Sequence, residues 1–236
     1  MKKKGLIKFI AIVILVLIAI FAVYKIFQTG TKDSHTFRDE YECLNGVINP
    51  NNNKVYPNVS TPSDNRVVYS NYDEILDVLD NGTGVIYLGY PECPWCRNAI
   101  PVLVDAVKSS NVDKIYYMNM KDERDQKDID VKTLQVKTIK EAAPGYYKLL
   151  EKLDKYLDEY TVTKDEIEYS LGEKRIYVPM VIFVKNGEVI GVHTDTVSSQ
   201  TDPFVKLNNE QVAELKSIYS KYLGELVSCN VEKKSC

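Results

Sequence analysis

The stretch from Gly84 to Val107, GVIYLGYPECPWCRNAIPVLVDAV, constrains the fold of this chain more than any other. Gly84 to Tyr90 is an apolar run bounded by turn residues, which reads as a strand buried on both faces. Pro94 suits the first turn of a helix, and Ile100, Leu103, Val104 and Val107 share one face of that helix as far as about Ser109. Pro101 is expected to kink it, because its ring clashes with the carbonyl four residues earlier. A buried strand running straight into a helix places Cys93 and Cys96 at the helix start. There the unpaired N–H groups and the positive end of the helix dipole favour a thiolate, the nucleophilic form of cysteine. The spacing makes Cys93 the attacking thiol and puts Cys96 one turn on, where it can resolve a mixed disulfide formed at Cys93.

The rest of the chain supplies elements around this junction. Ser70 or Asn71 caps a short helix running through Leu79, with Ile75, Leu76, Val78 and Leu79 as its apolar face. Ile115 to Met120 reads as a second strand. Ile176 to Val184 and Glu188 to His193 read as two more, joined at Asn186-Gly187, a tight-hairpin signal. A last helix spans about Asn209 to Leu226, with Val212, Leu215, Ile218, Tyr219 and Tyr222 on its apolar side. Lys121 to Arg175 is charged and helical in pattern, with Tyr146, Leu149, Leu150, Leu153, Leu157 and Tyr160 at helical spacing. The order predicts an α/β domain over 71–236 with a helical insertion at 121–175. Thr29 to Arg66 is polar and turn-rich, so 29–70 is expected to be a stalk or irregular extension.

The N-terminus sets the expected location. Phe9 to Tyr24 is an uninterrupted apolar run, extended by Ile26 and Phe27, and about 20 apolar helical residues cross a bilayer core. No small-residue cleavage pattern follows it, so 1–28 reads as a cytoplasmic stub and a retained transmembrane signal anchor. Lys2, Lys3, Lys4 and Lys8 ahead of the run keep the N-terminus cytoplasmic, which puts the chain from about Gln28 onward outside the plasma membrane, with a membrane redox partner within reach. Disulfides persist on that side. Five cysteines are present, Cys43, Cys93, Cys96, Cys229 and Cys236. If Cys93 pairs with Cys96, three pairings of the remainder stay open, as does their staying unpaired.

Composition excludes other chemistries. A net charge of −3 argues against a nucleic-acid surface, which would show a basic face. A structural zinc site needs four ligands, usually a second C-x-x-C or a close histidine pair. This chain has only His35 and His193, far apart, so no metal and no other cofactor is expected. His193 reads as an ordinary surface or satisfied histidine, and a Ser-His-Asp hydrolase has no support.

Two separated motifs carry a resemblance: CPWC at Cys93–Cys96 after a strand, and YVPMVIFVKNGEVIG from Tyr177 to Gly191. Together they resemble the thioredoxin superfamily, from about Tyr72 to Tyr222 apart from the insertion, and Pro101 matches the kink proline of many members. An anchored chain of this kind is also similar to bacteriocin transport accessory-type proteins. The resemblance implies a thioredoxin-like fold, a cis Val178–Pro179 bond facing the cysteines, and substrate contacts at Val178, Pro179 and Trp95. It implies a thiol-disulfide oxidoreductase acting on protein or peptide thiols and disulfides, in a direction that Pro94 and Trp95 leave open. The second reading is a non-catalytic binding or export-accessory module. Two positions depart from the family pattern. Tyr87 stands where a buried aspartate is usual and Glu92 where a tryptophan is usual, and a negative charge at Glu92 disfavours a thiolate beside it.

Overall fold

The computed structural model of the protein describes residues 12–18 and 30–228. In chain order the elements are α1 (Lys32–Glu42), β1 (Val67–Tyr69), α2 (Tyr72–Asn81), β2 (Gly84–Gly89), α3 (Pro94–Lys108), β3 (Ile115–Asn119), β4 (Gln126–Asp130), β5 (Gln135–Lys140), α4 (Pro144–Leu153), β6 (Asp158–Lys164), β7 (Ile167–Arg175), β8 (Met180–Lys185), β9 (Glu188–Thr194) and α5 (Asn209–Val227). The helix starts are written in the sequence: Thr31, Asn71 and Asn208 cap α1, α2 and α5, each within a reciprocal capping box.

Five strands form one mixed sheet in the order β1-β3-β2-β8-β9. β1, β3 and β2 run parallel, and β8 and β9 run antiparallel to their neighbours. Every residue of β2 is buried, so the centre of the sheet is covered on both faces. The register aligns Tyr69, Tyr117, Tyr87, Val181 and His193 in one row across a single face. α1 lies on that row: Phe37 packs edge-on to Tyr117 at 4.8 Å between ring centroids, with Tyr41 beside it. α5 covers the other end, with Tyr222 stacked on Phe183 at 5.0 Å and Tyr219 edge-on to His193 at 5.6 Å. The β8–β9 hairpin turns at Asn186 and Gly187, both with positive φ, as the dipeptide predicts.

The insertion corrects the expected helical one. It consists of two antiparallel hairpins, β4–β5 and β6–β7, with the short helix α4 between them. Tyr146, Leu149 and Leu153 do face the core from α4, but Leu157 follows the helix and Tyr160 lies on β6. The helical spacing holds as far as Leu153, and its continuation to Leu157 and Tyr160 is a coincidence of sequence. Thr161, Val162 and Thr163 favour the extended chain, because branched Cβ atoms pack well on a pleated surface. The 29–70 segment also differs from a free stalk, since α1 inside it buries Phe37 and Tyr41 completely.

The membrane span is corrected as well. Among the described residues no helix is long and apolar enough to cross a membrane. Of the expected run, residues 12–18 are helical and the remainder lies outside the described residues, as does the lysine cluster before it. The single-pass topology, with the folded part outside the plasma membrane, rested on that span and falls with it.

Candidate functional site

Cys93 and Cys96 are brought together by the junction of β2 and α3. Cys93 is the N-cap of α3, in extended backbone conformation, with Pro94 in the first turn. The Cys96 N–H donates to Cys93 Sγ at 3.2 Å, and the Cys93 thiol donates to the Val178 carbonyl at 3.6 Å. The Val178–Pro179 peptide is cis. Both cysteines are free thiols here, and Cys93 keeps 5 % of its surface accessible against none for Cys96. Cys93 is therefore the sulfur a substrate can reach. Burial pushes the Cys96 thiol well above its ordinary range, with Cys93 adding to the effect, while the Tyr90 backbone and the Tyr87 hydroxyl pull the other way.

The expected substrate positions fall on one side of the pair. Trp95, half-buried, and Val178 line a cavity of about 420 Å³ together with Tyr177, Thr161, Glu168 and Asp195. One wall is thus the β6–β7 hairpin of the insertion. Pro179 is buried, and its carbonyl accepts from the Asp195 N–H at 3.0 Å. Glu92 is held by Lys121 at 2.5 Å, and that hydrogen bond raises the Lys121 pKa. The charge expected to oppose a thiolate at Cys93 thus has a cation of its own. Pro101 sits inside α3 without ending it.

Beneath the pair is an aromatic layer that local sequence patterns do not announce. Tyr87, in the row across the sheet, has its hydroxyl 3.0 Å from that of Tyr41 on α1. Burial holds both phenols well above their ordinary pKa range, so both stay protonated. Tyr87 leans along the strand: a Cβ on Gly89 would lie 2.5 Å from its hydroxyl, so only glycine fits there. Arg97, the residue after Cys96, is 1 % exposed and ties the N-terminal segment to α3. Its guanidinium donates to the carbonyls of Pro57 (2.8 Å), Tyr41 (2.8 Å) and Pro91 (3.1 Å) and to Asn45 Oδ1 (2.8 Å). The signals for α1 were Thr31 before a helical start and the Phe37/Tyr41 pair at i, i+4, both submerged in a polar stretch.

The other candidates are not drawn in. His193 Nε2 lies 2.7 Å from the Thr196 carbonyl. Among the described residues no three His, Cys, Asp or Glu side chains converge as a metal site. Cys43 is exposed, whereas Cys229 and Cys236, and with them the open pairings, lie outside the described residues. A scan against protein-family models returns no match for the chain, and no curated protein matches it at a significant level.

Proposed function

We propose that this chain is a thiol-disulfide oxidoreductase of the kind found in the thioredoxin superfamily, exchanging the dithiol of Cys93 and Cys96 with disulfides of proteins or peptides. The observation that carries the reading is the setting of one sulfur. Cys93 caps a helix, receives the Cys96 N–H at 3.2 Å, and faces the Val178 carbonyl beside a cavity lined by Trp95. A sulfur anion formed at Cys93 during exchange keeps that amide donor, and an extended substrate segment laid along Val178 has its disulfide within reach of the same sulfur.

The chemistry balances as two displacements. The Cys93 thiolate attacks one sulfur of the substrate disulfide; a Cys93–substrate S–S bond forms, and the other substrate sulfur leaves and takes a proton. Cys96 then attacks Cys93 Sγ, closing the Cys93–Cys96 disulfide and expelling the second substrate thiol, which receives the proton that Cys96 gives up. Two electrons pass to the substrate, and the reverse sequence installs a disulfide. The reduction potential of the pair selects the direction, from about −270 mV for a reductant to about −120 mV for a strong oxidant.

Cys93→Ser is expected to abolish turnover of insulin or a model-peptide disulfide, and Cys96→Ala to accumulate the mixed disulfide at Cys93. Turnover unchanged in Cys93→Ser overturns the reading. A redox titration followed by the emission of Trp95, the one tryptophan of the chain, then gives the direction.

A further inference from the structure

The insertion at 121–175 meets both of the segments that flank Cys93, and one of its side chains, Arg124, touches the two together. We propose that Arg124 is a positioning residue of the dithiol site, tying the loop that carries Cys93 to the segment that leads into Val178 and Pro179. It thereby fixes the surface along which a polypeptide substrate is laid. The inference rests on the oxidoreductase reading and gives the insertion a part in it.

Arg124 lies between β3 and β4, where the insertion leaves the sheet. Its Nη1 donates at 3.2 Å to the carbonyl of Ile176, two residues before Val178. Its guanidinium carbon stands 5.6 Å from the centre of the Tyr90 ring, and the Tyr90 carbonyl accepts from the Cys93 N–H at 3.2 Å. One cation thus touches the residue that holds the Cys93 backbone and the residue that leads to the Val178 carbonyl, the group that takes the Cys93 thiol at 3.6 Å. A planar guanidinium can do both at once, giving a donor in its plane and a face to the aromatic ring. Asp125 beside it is taken by Arg175 at 3.3 Å and by Lys127 at 3.6 Å, and Arg124 Nε is buried with no partner among the described residues.

The same segment is held from two further points of the insertion. The Ile176 N–H donates to the Tyr146 hydroxyl of α4 at 3.2 Å, so both backbone groups of this buried residue end on side chains of the insertion. The Tyr177 hydroxyl accepts the Thr161 N–H at 3.1 Å and donates to the Glu159 carbonyl at 3.2 Å, where the register of β6 on β7 shifts between Glu159 and Thr161. Residues 176 and 177 are therefore fixed from Arg124, from α4 and from β6. Loss of Arg124 removes a charged donor from Ile176 and a cation from Tyr90, which frees the two segments to part. Cys93 keeps its place at the tip of α3, because the Cys96 N–H still holds its sulfur. What moves is the surface beside that sulfur, and a misplacement of about 1 Å there costs rate for a substrate that lies on it.

Two disulfides of different size separate positioning from reactivity. The pre-reduced full chain, with Cys43, Cys229 and Cys236 replaced by serine, is mixed by stopped flow with an excess of either a model-peptide disulfide or a small aryl disulfide that has no peptide segment. Oxidation of the pair is followed by the emission of Trp95. In Arg124→Ala the peptide concentration giving half-maximal rate is expected to rise about 10-fold with the limiting rate changed less than about twofold, so the ratio of peptide to aryl rates at low concentration falls about 10-fold. Tyr146→Phe removes only the acceptor of the Ile176 N–H and is expected to lower the same ratio about threefold. Urea midpoints establish that each variant is folded. An unchanged ratio in folded Arg124→Ala, whether both rates hold or both fall together, overturns the inference and leaves the oxidoreductase reading intact. If Arg124→Ala does not fold, an unchanged ratio in Tyr146→Phe overturns it instead. A chain with Arg124 and Tyr146 in place that neither disulfide oxidises overturns both.

Discussion

At the scale of single residues, the site is fixed by side chains that do no chemistry of their own. Arg97 is a buried cation whose donors are met by three buried carbonyls and one amide oxygen from three separate parts of the chain. Arg97→Ala is expected to cost about 3–5 kcal/mol, since it strands those acceptors without water, and a urea midpoint far below wild type checks it. Gly89 is constrained by contact and not by its backbone angles: its missing Cβ leaves room for the Tyr87 hydroxyl and ring, which are fully buried and cannot swing away. Gly89→Ala is expected to cost about 1–3 kcal/mol, measured in the same way, because one added methyl forces a rearrangement of the aromatic layer. The neighbouring cysteines differ by environment alone. Burial on every side raises the Cys96 thiol, while Cys93, at the helix tip, retains the access that attack needs.

At the scale of elements, the informative ones are those whose sequence pattern misleads. α1 reads KDSHTFRDEYE, polar almost throughout, yet its two aromatic residues one turn apart reach over the sheet and meet Tyr117 and Tyr87. Two anchors suffice because the sheet beneath already presents an aromatic row for them to join. The hairpin β6–β7 closes through Asp165 and Glu166, both with positive φ, between the paired Lys164 and Ile167. Side chains with a Cβ resist that region, and two-residue hairpin turns prefer Asn-Gly. Replacing Asp165 and Glu166 by Asn and Gly is therefore expected to stabilise the chain by about 1 kcal/mol in chemical denaturation. A loss of stability would mean that one of these carboxylates contributes more through its charge than through the turn.

At the scale of the whole molecule, the mixed sheet and its aromatic layer make one prediction about pH. Tyr41, Tyr87, Tyr117 and Tyr219 are all pushed up by burial. Their ordinary value is about 10, so above that pH the unfolded chain releases protons that the folded chain retains. Their contribution to stability is complete below about pH 10 and falls as pH rises beyond it. Denaturation midpoints measured from pH 8 to 11 are expected to drop steeply above 10, with the tyrosinate absorbance of these residues appearing only on unfolding. Ionisation of all 17 tyrosines in the folded chain would contradict the burial described here. The same scale divides what could be read from the chain alone from what could not. Strand β2, helix α3, the cysteine pair at their junction, the Asn186-Gly187 turn and helix α5 follow from the sequence, because periodicity, capping and turn chemistry act within a few residues. The hairpins of the insertion, the docking of α1, the Tyr41–Tyr87 bond and the Arg97 clamp were decided only by tertiary structure. Tyr41 and Tyr87 are 46 positions apart, and Arg97 and the Tyr41 carbonyl 56. Contacts at that separation leave no periodic trace, since they depend on which faces the packed sheet turns toward one another.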